Sequence, residues 1–232
     1  MVLSGFYRGF VMGNIKNIIQ RLYPYGTFCG PAKDQSGNKA VYLTFDDGPI
    51  PEVTPQVLTI LAQYNVKATF FMVGENIYKH QDVFEQVAEA GHTIGNHTYN
   101  HLKGWHTSLM HYLSNVSKWE EAFEWARGIM DKRVKGKLHN RRFFRPPYGK
   151  ATFAQRRLLA RRGYKIIFWD ILTRDYDANQ TPEAMFDLIQ KRTRPGTIIN
   201  FHDSLKSNER MLAVLPKTIE WLQQQGYELR PL

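Results

Sequence analysis

Two pairs of residues have types and spacing that suit a metal-assisted reaction. Asp46 and Asp47 are adjacent carboxylates followed by Gly48 and Pro49, and His97 and His101 lie four residues apart. Neighbouring carboxylates at a strand end point in different directions, so one can face a cation while the other faces water or substrate. Asp-Asp-Gly-Pro is equally good turn chemistry. The histidine spacing predicts both imidazoles on one face of a helical turn, which suits zinc and similar ions. Such a pair also arises by chance, and His80, His106 and His111 show that histidine is not scarce here. Taken together, Asp47, His97 and His101 form a two-histidine, one-carboxylate set that leaves positions open for water and substrate. The neighbouring carboxylate, Asp46, is then left to face water or substrate. Non-haem iron oxygenases use the same ligand types but are associated with all-β jelly rolls. This chain does not read as all-β, so hydrolysis is favoured.

These residues need elements that bring them to one place. Runs rich in β-branched and aromatic residues predict strands at 40–45, 67–73, 92–96, 142–145, 164–170, 197–201 and 227–230. Between them, amphipathic stretches predict helices at 54–64, 83–90, 109–131, 152–162, 182–194 and 210–225. In the long stretch, Trp119, Phe123 and Trp125 are expected in the core. Gly91, Gly163 and Gly226 read as glycines closing helices, and Thr181-Pro182 as a capped helix start. Strand and helix in alternation imply a parallel sheet with right-handed crossovers. The first strand–helix turn carries Asp46-Asp47-Gly48-Pro49 where a dinucleotide-binding fold needs its glycine fingerprint. The expected fold is therefore α/β, a distorted β/α barrel of about seven strands. In that fold Asp46, Asp47, His97, His101, Arg145, Asp170, His202 and Asp203 all fall at strand ends facing one mouth.

The chain has 232 residues, of which 43% are hydrophobic, enough for one domain with a real core. Its 31 basic and 21 acidic residues give a net charge of +10. That balance permits an anionic partner, but no nucleic-acid-binding motif accompanies it, so nucleic acid is not expected. Cys29 is the only cysteine, which excludes an internal disulfide and a cysteine zinc site. No apolar run approaches 18 residues, so no transmembrane segment is expected. Residues 1–39 read as an N-terminal extension before a catalytic domain at 40–232. In that extension Val11, Ile15, Ile18 and Leu22 share one helical face, which suits packing on the barrel or peripheral contact with an anionic membrane. The first residues lack the features of a signal peptide, and the chain is expected to act as a monomer.

The motifs, in order, resemble those of the polysaccharide deacetylases, carbohydrate esterase family 4 with the NodB homology fold. They are Thr44-Phe45-Asp46-Asp47-Gly48, His97-Thr98-Tyr99-Asn100-His101, Arg145-Pro146-Pro147-Tyr148-Gly149, Trp169 through Tyr176, and Phe201-His202-Asp203. The resemblance spans residues 40 to about 230. It implies a Zn²⁺ ion, with Co²⁺ or Ni²⁺ as alternatives, on Asp47, His97 and His101. It further implies Asp46 as general base, His202 as general acid, Arg145 paired with Asp46, and Asp175 orienting His202. The backbone N–H of Tyr148 would help hold the oxyanion, and Pro147, Trp169, Asn200 and Tyr176 would line the substrate pocket.

The chain departs from the family pattern at Leu172, usually Asp, at Tyr176, usually Trp, and at Asn200, usually Leu. Asn200 and Tyr176 are expected to make the pocket rim more polar, with Asn200 either contacting substrate or hydrogen-bonded to a neighbouring loop. Trp105 and His106 would form either a sugar platform or a packed loop. The implied reaction is removal of N-acetyl groups from amino sugars of peptidoglycan, a chitin-like oligomer or a related glycan. The alternatives are an esterase or deformylase on a related carbonyl, and a silent sugar-binding module. Such an enzyme would act on an envelope glycan or its precursor.

Overall fold

A computed structural model describes residues 23–130, 132–136, 138 and 142–232. The amphipathic stripe from Val11 to Leu22 lies outside the described residues. The strands are β1 (Gly26–Thr27), β2 (Ala40–Asp46), β3 (Thr69–Met72), β4 (Thr93–Asn96), β5 (Phe143–Phe144), β6 (Lys165–Ile167), β7 (Ile171–Leu172), β8 (Ile198–His202) and β9 (Glu228–Leu229). The helices are α1 (Thr54–Gln63), α2 (Gly74–Lys79), α3 (Gln81–Glu89), α4 (Leu109–Ile129), α5 (Lys132–Lys135), α6 (Phe153–Arg161), α7 (Pro182–Arg192) and α8 (Asn208–Gln224).

All strand pairs are parallel, in the order β1-β6-β5-β4-β3-β2-β8-β7, with β9 on the first residues of β2. Cys29, just after β1, bridges Thr197, just before β8. The sheet therefore curls back on itself as the expected distorted barrel. Among the described residues it has nine strands rather than about seven. The two additional strands, β1 and β7, are two residues each, too short to show a period. β1 also brings residues before position 40 into the sheet by pairing with β6.

The helix starts follow local rules. Thr181 Oγ1 accepts the Ala184 N–H at 3.2 Å, with Pro182 at the first helical position. Thr152 and Gln155 form a reciprocal capping box on α6. Gly91, Gly163 and Gly226 all have positive φ, as expected of helix-closing glycines.

β2 is buried on both faces, and its two-residue period separates core from site. Val41, Leu43 and Phe45 face the helices and join the main apolar cluster with Phe70, Phe201 and Ile219. Each such side chain contributes about 1.5–3 kcal/mol by leaving water. The alternate residues Tyr42, Thr44 and Asp46 face the barrel interior. Trp119 and Phe123 of α4 are buried as expected, but Trp125 is not. It is 43% exposed and packs on Tyr78, their ring centroids 4.8 Å apart.

Candidate active site

Asp46 and His202 are the last residues of β2 and β8, and the strand register places them directly opposite each other. Adjacent strands lie about 4.8 Å apart, so the two side chains stand together on the inner face. His97 follows β4 and Arg145 follows β5, completing a ring of functional groups at the C-terminal ends of the strands.

Asp46 is buried, and both its oxygens are held. Arg145 Nη1 donates to Oδ1 at 2.7 Å, and Asn200 Nδ2 donates to Oδ2 at 2.9 Å. Arg145 is fully buried with its donors distributed over the site. Nη1 also donates to Thr44 Oγ1 at 2.8 Å and to Asn200 Oδ1, Nη2 to the Phe168 carbonyl at 3.0 Å, and Nε to the Ile167 carbonyl at 3.4 Å. Its guanidinium lies 4.1 Å from the Phe71 ring centroid. Burial works against the charge of Arg145, and Asp46 opposes that effect. A buried cation is tolerated when its partner and its hydrogen bonds are all in place.

Asn200 thus sits beneath the site and not on the pocket rim. It is fully buried and both ends of its amide are engaged, as the hydrogen-bonded alternative expects and substrate contact does not. Asp170 also falls away from the mouth. Arg194 donates to it at 2.9 Å and Thr197 at 3.4 Å, and both belong to the turn entering β8, at the other end of that strand from His202.

Asp47 Oδ1 lies 3.2 Å from His101 Nε2 and 3.6 Å from His97 Nε2. One ligand atom from each of the three residues lies within 4.8 Å of the others. Asp47 Oδ1 is buried yet accepts no hydrogen bond among the described residues, and an orphaned buried oxygen calls for a partner. Burial would raise the Asp47 carboxyl, but the imidazoles of His101, His202 and His97 outweigh it and hold it well below the usual range. Burial lowers His97 to about 4 against the pull of Asp46, so its ring is neutral near pH 7. His97 Nδ1 lies 2.7 Å from the Arg145 carbonyl, which can only accept, so the proton sits on Nδ1 and Nε2 keeps its lone pair. An anionic oxygen and an available imidazole nitrogen converging in this way fit a divalent cation.

The expected helical turn at 97–101 is absent. His97 and His101 converge because the loop is forced into left-handed backbone, with φ 62° at Thr98 and 55° at His101. Asp47 (87°), Tyr148 (58°) and Arg174 (59°) share that conformation, so five of the seven described non-glycine residues with positive φ lie in the loops at the mouth. Such residues cost about 1–3 kcal/mol each and persist only where their surroundings dictate them. Those surroundings were not apparent in the sequence. Asn96 Oδ1 accepts the Thr98 N–H at 2.8 Å while Asn96 Nδ2 reaches Tyr164 at 3.1 Å. Asn115 Oδ1, from α4, accepts the N–H groups of Tyr99 and Asn100 at 2.9 and 3.0 Å. An asparagine among Tyr112, Leu113, Val116 and Trp119 on the buried face of a helix was the available signal.

Across the mouth, His202 Nδ1 lies 2.7 Å from Asp175 Oδ1, and the His202 N–H donates to Asp175 Oδ2 at 2.7 Å. Burial favours a neutral His202, but Asp175, with Asp47 and Asp46, pushes it up to about 9. The Tyr176 ring meets the imidazole edge-on, centroids 5.0 Å apart. Tyr148 is exposed, and no described residue accepts its N–H. Pro147 is buried and Trp169 half-buried, the latter against Gly149 and 5.7 Å from the Arg145 guanidinium.

Asp203 ties the Asp46–Gly48 turn to β8. Its Oδ1 accepts the Gly48 N–H at 3.0 Å and its Oδ2 the Thr54 hydroxyl at 2.7 Å, while burial pushes its carboxyl up to about 8. A Cβ at Gly48 would stand 2.0 Å from Asp203 Oδ2. Gly48→Ala is therefore expected to destabilise the fold by about 1–3 kcal/mol, the usual cost of overpacking. Urea unfolding checks this, and an unchanged midpoint would contradict the tight contact.

Among the described residues no helix is long and apolar enough to cross a membrane. The family model for polysaccharide deacetylase matches residues 33–167. A peptidoglycan-N-acetylglucosamine deacetylase of Bacillus cereus is 35% identical over 195 residues, covering 83% of this chain and 85% of the relative. A chitooligosaccharide deacetylase of Azorhizobium caulinodans is 30% identical over 214 residues, covering 87% and 96%. The solved structure of the Bc1960 peptidoglycan N-acetylglucosamine deacetylase superposes with a TM-score of 0.79 at 29% identity, covering 97% of this chain and 95% of that one. The match over more than half of the sequence, together with relatives of nearly full length, shows that this chain belongs to the polysaccharide deacetylase family.

Proposed function

We propose that this enzyme is a metal-dependent N-deacetylase that hydrolyses the acetamide of N-acetylglucosamine units in a glycan. The observation that carries the reading is the register pairing of Asp46 with His202 beside the Asp47, His97 and His101 cluster. An acetamide is a poor electrophile and water a poor nucleophile, so the reaction needs a base, an acid and concentrated positive charge. A divalent cation held by Asp47, His97 and His101 supplies that charge, polarising a carbonyl and acidifying water. Zinc suits the histidine-rich set best, with cobalt or nickel as alternatives.

Asp46 accepts the proton of the attacking water. Arg145 and Asn200 each donate to one of its oxygens and so fix the direction of its carboxylate. The Tyr148 N–H, which no described residue accepts, stabilises the oxyanion that develops from the acetyl carbonyl. His202, protonated and oriented by Asp175, gives its proton to the departing amine. The products are acetate and a free amino sugar. A silent sugar-binding role would require neither a base nor an acid, whereas Asp46 is paired with Arg145 and His202 with Asp175.

Zinc-loaded protein is expected to release acetate from N-acetylglucosamine oligomers or peptidoglycan. Treatment with a chelator should reduce this to background, and Zn²⁺, Co²⁺ or Ni²⁺ should restore it. Failure to release acetate from any such glycan would overturn the reading. Release of acetate from O-linked esters alone, or of formate in preference to acetate, would favour the esterase or deformylase alternative.

A further inference from the structure

Beside the catalytic cluster, the loop after His101 and the loop after Tyr148 are held together backbone to backbone. The Gly104 N–H donates to the Lys150 carbonyl at 2.9 Å. Gln155 Nε2 then ties the same turn down, donating to the carbonyls of Gly104 at 3.0 Å and Thr107 at 3.1 Å. A Cβ on Gly104 would come within 2.5 Å of both the Lys150 carbonyl and Gln155 Oε1, so only glycine allows this approach.

The junction creates a fixed shelf of rings and ammonium groups. Lys150 Nζ lies 4.8 Å from the Trp105 ring centroid and Lys103 Nζ 5.8 Å from that of Tyr148. The Tyr148 ring lies 4.6 Å from that of His101, so the shelf is continuous with the candidate metal centre. Trp105 and Tyr148 are 53% and 57% exposed, and Phe153, packed on Tyr25, extends the apolar surface. Among the described residues, neither Lys103 nor Lys150 makes an ion pair. Two lysines are thus held over open rings, beside the place where the acetamide is to be cleaved, in a chain of net charge +10.

We propose that this shelf is a subsite for a sugar bearing a carboxylate, next to the sugar that loses its acetyl group. The inference rests on the deacetylase reading above. The C–H face of a pyranose stacks on Trp105 or Tyr148, as apolar surface does on any exposed ring. Lys103 and Lys150 receive the carboxylate, and their flexible stems accommodate an acid carried on a rotating substituent. A neutral glycan would use the rings and leave both cations without a role. The preferred substrate is therefore a carboxylated glycan rather than a neutral one.

The test compares peptide-free peptidoglycan strands, whose alternate sugars carry a lactyl carboxylate, with the same strands after reduction of that acid to an alcohol. The wild type is expected to favour the acidic strands in kcat/KM, through KM, and raised salt should shrink the preference. The double variant Lys103→Gln/Lys150→Gln should cut the preference roughly fivefold, as two exposed ion pairs allow, and Lys103→Arg/Lys150→Arg should restore it. A wild type without preference, or a Gln variant that loses equally on both strands, overturns the proposal. Direct titration of strand binding separates the two readings. Tighter binding of the acidic strands without acetate release leaves the shelf standing and sinks the deacetylase, whereas acetate release with equal binding does the reverse.

Discussion

Asp46→Asn is expected to lower kcat by ~10²–10⁴-fold, the usual contribution of a general base, while the protein still binds its metal. The substitution removes the proton acceptor and leaves Asp47, His97 and His101 in place, so zinc content should be unchanged. It also has a structural cost. Arg145 is fully buried and loses the one counter-charge it pairs with among the described residues, Asp46. A buried ion pair broken on one side typically costs about 3–5 kcal/mol. The cost should be smaller here, because Thr44, Asn200 and the carbonyls of Ile167 and Phe168 continue to accept from the guanidinium. The new amide would also present a donor where Asn200 Nδ2 now donates to Asp46 Oδ2. Single-turnover kinetics, metal analysis and a thermal melt on one preparation separate these effects. Full turnover in a folded, zinc-loaded Asp46→Asn protein would remove Asp46 from the base role.

The second large effect belongs to His202. His202→Ala should also lose ~10²–10⁴-fold in kcat, the usual contribution of a general acid. The pH dependence identifies the role more sharply. His202 is pushed up to about 9, chiefly by its hydrogen bond and charge pairing with Asp175, against the effect of burial. A reaction that needs the protonated ring therefore runs fully below that value and is lost as pH rises through about 9. In Asp175→Asn the alkaline limb should move down towards the ordinary histidine value, with the acidic limb unmoved. Stability follows the same sign. A folded value above the unfolded ~6.5 gives stabilisation that is complete below about 6.5 and lost as pH climbs through about 9. An alkaline limb in the same place for wild type and Asp175→Asn would show that His202 is not the group titrating.

Much of this site is legible in the sequence because the chemistry needs particular side chains at strand ends. Asp46, Asp47, His97, His101, Arg145 and His202 are few, reactive in type and carried by runs whose alternation with helices implies a parallel barrel. The two-residue period of β2 then dictates that Thr44 and Asp46 share a face. Local capping chemistry was equally readable at Thr181 and Gly163.

What only the tertiary structure decided depends on contacts between residues far apart in the chain. Asn200 was expected at the pocket rim as a polar substitution in an apolar motif. Its role under Asp46 follows from the β2–β8 register, which joins residues separated by more than 150 positions. Asp170 looked like a residue of the mouth until Arg194 and Thr197 placed it at the far end of β8. The loop carrying His97 and His101 shows the same limit. Its two histidines are four apart for no helical reason, and Asn96 and Asn115 hold the strained backbone that brings them together. The sequence by itself determined which groups are candidates for the chemistry, because residue type sets reactivity. Their directions, and the ring-and-lysine shelf beside them, were decided by long-range packing and hydrogen bonds, which no local pattern encodes.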